Sequence, residues 1–306
     1  LHSFPTRRSS DLMSDPTRFK RFNDYVSIVK NTSALIFLYS GNIDVTTMNR
    51  ELFRADDADF KSFVVYAAHR GPHNDQGMLW MAAKHLGLTD LQPPDPQDPR
   101  DNGIYHPDFP RDVSQEEYMA HIRGDRITVG LMFGGYLWNY SNLAHVDAII
   151  RSLEAHGMDV IPFFTNAFNK GIENGKKNEF DKYFVSDDGR VLIDVLITLS
   201  SFSHMTKLNE GHEDNPDYNY FRDELNVPIL FGLTVNGPYH DFEDDKQGLA
   251  ASDMKSNVIY PELDGDIITV PVAFTPRSGG TKRSYPIPDR IEHLSRLAYG
   301  WGNLRH

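Results

Sequence analysis

Two apolar runs joined through one amphipathic helix constrain this chain more than any other feature. Ile127–Phe133 (ITVGLMF) has strand length and no polar alternation, so both of its faces are expected to be buried. Gly134-Gly135 ends the run. Val146, Ile149, Ile150 and Leu153 then recur at helical spacing, Gly157 stops the helix, and Val160–Phe164 begins a second buried run. A strand–loop–helix–strand unit of this kind builds a parallel sheet, and ligands bind beyond the carboxyl ends of such strands. The loop at that end holds Trp138, Asn142 and, opening the helix, His145. It reads as a binding loop for something flat with polar edges.

The same pattern continues downstream. Val191–Leu199 (VLIDVLITL) and Val227–Val235 are further apolar runs bounded by turn residues, and Asp264–Phe274 is a last extended stretch. Pro288–Trp301 places Ile291, Leu294 and Leu297 on one helical face. The expected fold class is therefore α/β, a mainly parallel doubly wound sheet of flavodoxin or Rossmann type. Its central strands are expected at 127–133, 159–164, 191–199 and 228–235. Part of another α/β domain precedes it, with a helix over Arg18–Val29, strands at Ala34–Tyr39 and Phe63–Ala67, and a helix from Gln76 to Leu86.

Between the two regions, Pro93, Pro94, Pro96, Pro99, Pro107 and Pro110 forbid helix and sheet interior. The organisation read from these signals is 13–90 for the partial first domain, 91–125 for a Pro-rich connector and 126–306 for the main domain. Gly103–Asp108 (GIYHPD) is more specific than a spacer, since an aromatic and a histidine sit in a rigid frame. Residues 1–12 have no periodicity, and HSFPTRRSSDL resembles one translated frame of a sequencing adapter. They are expected to be an artefactual, disordered leader.

Charge and composition exclude several classes. A formal charge of −12 argues against nucleic acid and anionic lipid as partners. The sequence contains no cysteine, which removes disulfides, thiolate nucleophiles and Cys-based zinc sites. No apolar run approaches the roughly 20 residues that span a bilayer. A cytoplasmic location is the expectation. G-x-G-x-x-G and G-x-x-x-x-G-K-[ST] are both missing, so no nucleotide site is expected in this chain. Ser200, Ser201 and Ser203 follow a strand without a G-x-S-x-G elbow, which favours binding a ligand's polar edge over nucleophilic catalysis. His69 and His73 are separated by Gly71-Pro72 and cannot share a helical face. His204, His212 and the acidic run Asp241–Asp245 read as solvated loops, so no metal site is assigned.

These pieces in this order resemble the large tetrapyrrole-binding subunit of ATP-dependent metal chelatases, the family that joins the CobN-type cobaltochelatase subunit to the H subunit of magnesium chelatase. The matching segments are ITVGLMF, Asn142 and His145 leading HVDAIIRSLEAHG, then VIPFF, DVLITLSSFS, VPILFGLTV, Pro261–Gly265 (PELDG) and Arg290–Arg305 (RIEHLSRLAYGWGNLR). GIYHPD matches the connector before the first strand. The resemblance covers roughly residues 60 to 306. It implies insertion of a divalent ion, Co²⁺ for cobalamin biosynthesis or Mg²⁺ in a chlorophyll-type pathway, into a tetrapyrrole, with ATP used by separate AAA+ subunits. Spacing leaves the ion open among Co²⁺, Mg²⁺ and Ni²⁺. The family's His-Gly-x-x-Glu block is not in this sequence, so the catalytic and metal-binding residues stay unassigned and the chain is expected to be an amino-terminal fragment. Phe231-Gly232 stands where a polar residue is expected after VPIL. The substrate-binding candidates are Trp138, Asn142, His145, Ser201, Ser203, Glu262 and Asp264. Trp138 is expected to stack on a macrocycle face or else fill core, and His145 to bind a ring carboxylate, take a proton near neutral pH, or merely cap its helix. A non-enzymatic ligand binder of periplasmic-binder type is the rival reading.

Overall fold

The computed structural model describes residues 56–69, 72–85, 87–97, 100–111, 113–166, 179–200, 220–237, 243–244, 248–276 and 283–305. The expected leader, the helix expected over Arg18–Val29 and the strand expected at Ala34–Tyr39 lie outside these residues. Two compact units divide between Pro99 and Arg100.

The first unit contains helices α1 (Asp57–His69) and α2 (Pro72–His85). The strand expected at Phe63–Ala67 is therefore a correction, because those residues lie in α1. Phe60, Phe63 and Tyr66 recur every third residue and cluster with Met78 and Met81, a helical spacing that outweighs the β-branched pair Val64-Val65. Asp56 Oδ1 accepts from the Asp59 amide at 2.8 Å and caps the helix start. His69 and His73 fall on different helices.

The second unit is built on a seven-stranded sheet of order β1-β3-β2-β4-β5-β6-β7. Its strands are β1 (Asn102–Ile104), β2 (Thr128–Gly134), β3 (Asp159–Thr165), β4 (Val195–Thr198), β5 (Ile229–Asn236), β6 (Ile267–Thr275) and β7 (Tyr285–Pro286). β2, β3, β4, β5 and β6 are parallel to their neighbours, and only the edge strands β1 and β7 run antiparallel. All four expected central strands are present in the expected orientation. The third is shorter than its apolar run: Val191 forms a lone bridge to Val185, and the Asp194 carboxylate accepts the Thr128 amide at 2.8 Å where the strand begins. Asn102–Ile104 of the proline-rich stretch pairs with β3.

Strand alternation divides the core into two layers. Val129, Leu131 and Phe133 of β2 meet one face of α5 (Ala144–Ala155) through Val146, Ile149, Ile150 and Leu153, together with Ile291, Leu294 and Ala298 of α9 (Pro288–Arg305). Met132, Phe163 and Leu196 point the other way, into Tyr118, Phe180, Phe184, Phe221 and Leu225. Tyr118 belongs to α3 (Gln115–Met119), and Phe180 and Phe184 to α6 (Glu179–Phe184). Burial on both faces explains the unbroken apolar runs. The family-like helix ending GWGNLR has a packing reason: a Cβ on Gly302 would lie 2.3 Å from Ile127 Cγ2, so only glycine lets α9 approach the start of β2 this closely.

Candidate functional site

The carboxyl end of β2 turns at Gly134-Gly135 into the short helix α4 (Gly135–Asn139). A Cβ on Gly134 would meet the Tyr136 ring at 2.3 Å, and one on Gly135 the Asn166 side chain at 2.6 Å, so a larger residue at either position would have to push an exposed side chain aside. The tight exit brings Trp138 back over the end of β3. Its indole stacks on Phe164 with ring centroids 4.7 Å apart and planes 11° from parallel. The Arg111 guanidinium lies 4.1 Å from the indole centroid. Trp138 is 9% exposed, and its buried Nε1 donates to nothing. As placed, the indole is covered by Phe164 and Arg111 and fills the core.

Asn142 fastens the loop to the far side of the sheet. It donates through Nδ2 to Ser284 Oγ at 3.2 Å and accepts the Ser284 amide at 2.8 Å, while Ser284 shares a hydrogen bond with Thr275 of β6. His145 occupies the first turn of α5. The helix cap is Leu143, without a side-chain cap bond, so the capping role considered for His145 is a correction. The imidazole is 1% exposed and its Nδ1 has no partner. Burial pushes its pKa down to about 4. The ring is therefore neutral near pH 7, and the proton uptake expected there from sequence does not fit this environment. Ser200, at the end of β4, buries an Oγ that also lacks a partner. Ser201 and Ser203, and with them the convergence expected with Trp138, Asn142 and His145, lie outside the described residues.

Glu262 and Asp264 sit at the opposite, amino end of the strands, immediately before β6. The PELDG motif is a helix stop. Helix α7 (Ala251–Met254) runs through a π-helical turn (Lys255–Ile259) into α8 (Tyr260–Asp264), and Gly265 at φ 91° reverses the chain. The Gly265 amide donates to Glu262 O at 3.1 Å and the Asp266 amide to Pro261 O at 2.9 Å, the paired bonds of a left-handed helix terminus. Glu262 is exposed, whereas Asp264 and Asp266 are buried. Neither carboxylate oxygen of Asp266 has a partner. Burial first, and Asp264 second, push its pKa up to about 8. The structure thus separates the candidates: Trp138, Asn142 and His145 share one end of the sheet, and Glu262 and Asp264 lie at the other.

Sequence reading missed a pocket beside α5. Tyr105, His106, Phe109, Arg111, Ser141 and Asp147 are among the residues lining a cavity of about 390 Å³. Segment 105–111 is held against α5 by polar contacts. The Tyr105 hydroxyl donates to Asp147 at 2.7 Å, His106 Nε2 meets Glu154 at 2.9 Å, and Arg151 pairs with Asp108. Arg111 donates to Trp138 O at 2.5 Å and to Ser141 Oγ at 3.2 Å. Ser141 adopts φ 51°, a left-handed conformation uncommon outside glycine. GIYHPD signalled the first half of this wall. Nothing in the spacing signalled Arg111, which meets Ser141 only through the fold. Among the described residues no group of three or more His, Asp or Glu side chains could hold a metal ion, and no helix is long and apolar enough to cross a membrane.

The family model described as CobN/Magnesium Chelatase matches residues 64–306. An uncharacterized protein of Methanocaldococcus jannaschii is 26% identical over 82% of this chain and 21% of its own length. The chloroplastic magnesium-chelatase subunit ChlH of Oryza sativa is 26% identical over 76% of this chain and 17% of its own. The aerobic cobaltochelatase subunit CobN of a Sinorhizobium species is 24% identical over 58% and 14%. The chain thus spans about a fifth or less of the curated relatives it matches. Among solved structures, the catalytic subunit of cobaltochelatase from Mycobacterium tuberculosis superposes with a TM-score of 0.71 at 18% identity, over 94% of this chain and 23% of that one. That likeness is one of fold.

Proposed function

Because the chain belongs to the CobN/magnesium chelatase family, we propose that it forms part of the large, tetrapyrrole-binding subunit of a metal chelatase. The reaction exchanges two pyrrole N–H protons for one divalent ion. Co²⁺, in cobalamin biosynthesis, is the ion proposed first and Mg²⁺ the alternative, since relatives named for both are similar to the chain at 24% and 26% identity. ATP, in this reading, is consumed by separate AAA+ subunits in the cytoplasm. This region contributes binding surface, and the groups that deliver the ion and take the protons belong to other parts of the longer protein.

The observation that carries the reading is the family match from residue 64 to 306, across the whole parallel sheet. The carboxyl end of the strands supports it. Trp138 Nε1, His145 Nδ1 and Ser200 Oγ are buried there without partners, and native proteins leave few such atoms unpaired without a reason. Trp138, Asn142, His145, Ser201 and Ser203 are proposed as the substrate-side residues. Glu262 and Asp264, at the other end, would serve a ring only by a second contact.

Titration of the 306-residue chain with deuteroporphyrin, followed by the shift of the porphyrin's main absorption band, tests the proposal. A saturable shift that weakens in His145→Leu supports it. A shift that never saturates, with the fold intact by circular dichroism, contradicts it.

A further inference from the structure

We propose that the pocket beside α5 is a carboxylate subsite, in which Arg111 receives an acidic arm of a planar, largely apolar ligand. The identity of that ligand as a tetrapyrrole rests on the function proposed above, whereas the subsite itself rests on the pocket.

Arg111 is a cation held by neutral partners. No carboxylate pairs with it among the described residues, and its two protein acceptors are a backbone carbonyl and a hydroxyl, both neutral. Those bonds and the contact with Trp138 hold the guanidinium in place, so little side-chain entropy is lost when an anion arrives. A guanidinium carries five N–H donors in a rigid fork. The two bonds to Trp138 O and Ser141 Oγ leave donors free for a carboxylate, the anion whose spacing the fork matches. Ala144, in the first turn of α5, also lines the pocket, and the helix field there favours negative charge.

The other wall decides orientation. Asp147 lines the same cavity, but its carboxylate already accepts the Tyr105 hydroxyl. The pocket is thus cationic at Arg111 and acidic at Asp147, with the rings of Tyr105, His106 and Phe109 among its walls. A ligand with charge at one edge and an aromatic body fits. A dianion spread across the pocket does not, because its far end would meet Asp147. A free inorganic anion would lack contact with the rings.

Binding of naphthoate and of its neutral amide to the 306-residue chain and its variants, measured by isothermal titration calorimetry, tests the subsite without any macrocycle. Naphthoate is expected to bind about tenfold tighter than the amide, as charge-assisted hydrogen bonds imply. Arg111→Gln should erase that preference, and Arg111→Lys, which keeps the charge but loses the fork, should retain part of it. The acid–amide comparison in the unmodified protein needs no substitution to fold. Equal affinities there, or an acid preference that survives Arg111→Gln, would overturn the subsite. Deuteroporphyrin and its dimethyl ester form the second arm. Porphyrin binding without any acid preference sinks the subsite and leaves the tetrapyrrole reading standing. A naphthoate preference that depends on Arg111, with no porphyrin binding, establishes the subsite and sinks the tetrapyrrole reading.

Discussion

At each end of the parallel sheet one ionisable side chain is buried without a hydrogen-bond partner, and burial moves the two in opposite directions. His145, at the carboxyl end, is pushed down to about 4, and Asp266, at the amino end, up to about 8. Both are therefore uncharged at neutral pH, the cheaper state in a poorly solvated site. Their surroundings differ. At the carboxyl end Trp138 Nε1 and Ser200 Oγ are also unsatisfied, and Arg111 lines an open pocket. At the amino end the Gly265 and Asp266 amides close a helix, and Gly302 seats α9 on Ile127 at the start of β2. The carboxyl end thus gathers three unpaired side chains, which fits the binding proposed there, whereas the amino end holds one, Asp266, near a second cavity of about 390 Å³ lined in part by Arg222, Asp264 and Gly265.

The largest expected effect breaks the binding end from beneath. Phe164→Ala removes the ring under Trp138 and is expected to cost roughly 3–5 kcal/mol in urea unfolding. Naphthoate binding should fall with it, because the Trp138–Arg111 stack loses its base.

Asp266→Asn tests the other end. The folded state holds the Asp266 proton up to about pH 8, while an unfolded aspartate releases it near pH 4. The native state thus binds more protons between these values, and stability falls as pH rises through that window. The asparagine variant should be more stable than the parent by up to about 5 kcal/mol at pH 8 and close to it near pH 4. A melting temperature that is lower at pH 8 would mean that Asp266 is ionised and paired.

His145→Leu should show the mirror image. An unfolded histidine takes up its proton near pH 6.5, whereas the buried ring resists until about pH 4. The parent therefore loses stability as pH falls through that range, by roughly 2–3 kcal/mol in total, and the leucine variant should lose less. Parallel melting curves of the two proteins from pH 7 to pH 4 would contradict the buried, neutral imidazole. The smallest effect belongs to Gly302→Ala. Its Cβ overlaps Ile127, against a gain in helix propensity, and the net loss is expected to be about 1 kcal/mol by thermal melting.

Much of this contrast was legible in the sequence, for identifiable reasons. Buried parallel strands read as continuous apolar runs, and ITVGLMF, VIPFF and VPILFGLTV are such runs. Phe63–Ala67 misled because a short apolar run with two valines does not separate strand from helix; the repeat of Phe60, Phe63 and Tyr66 does. The loop after β2 was located correctly, but the direction of its side chains was not visible. Trp138 turns onto Phe164, and Asn142 reaches Ser284, 142 residues away in sequence. Arg111 became a candidate only through tertiary contact. PELDG reads as a binding candidate in the sequence and forms a helix stop in the structure, and two acids beside a glycine serve either purpose.

The contrast between the two ends is tested most directly by hydrogen–deuterium exchange of the 306-residue chain with and without deuteroporphyrin. Added protection is expected over residues 105–111 and 136–145 and around Ser200, with none over 222–229 or 261–267. Protection confined to 261–267, with the segments around Arg111 and His145 unchanged, would place the ligand at the amino end of the strands and contradict the account.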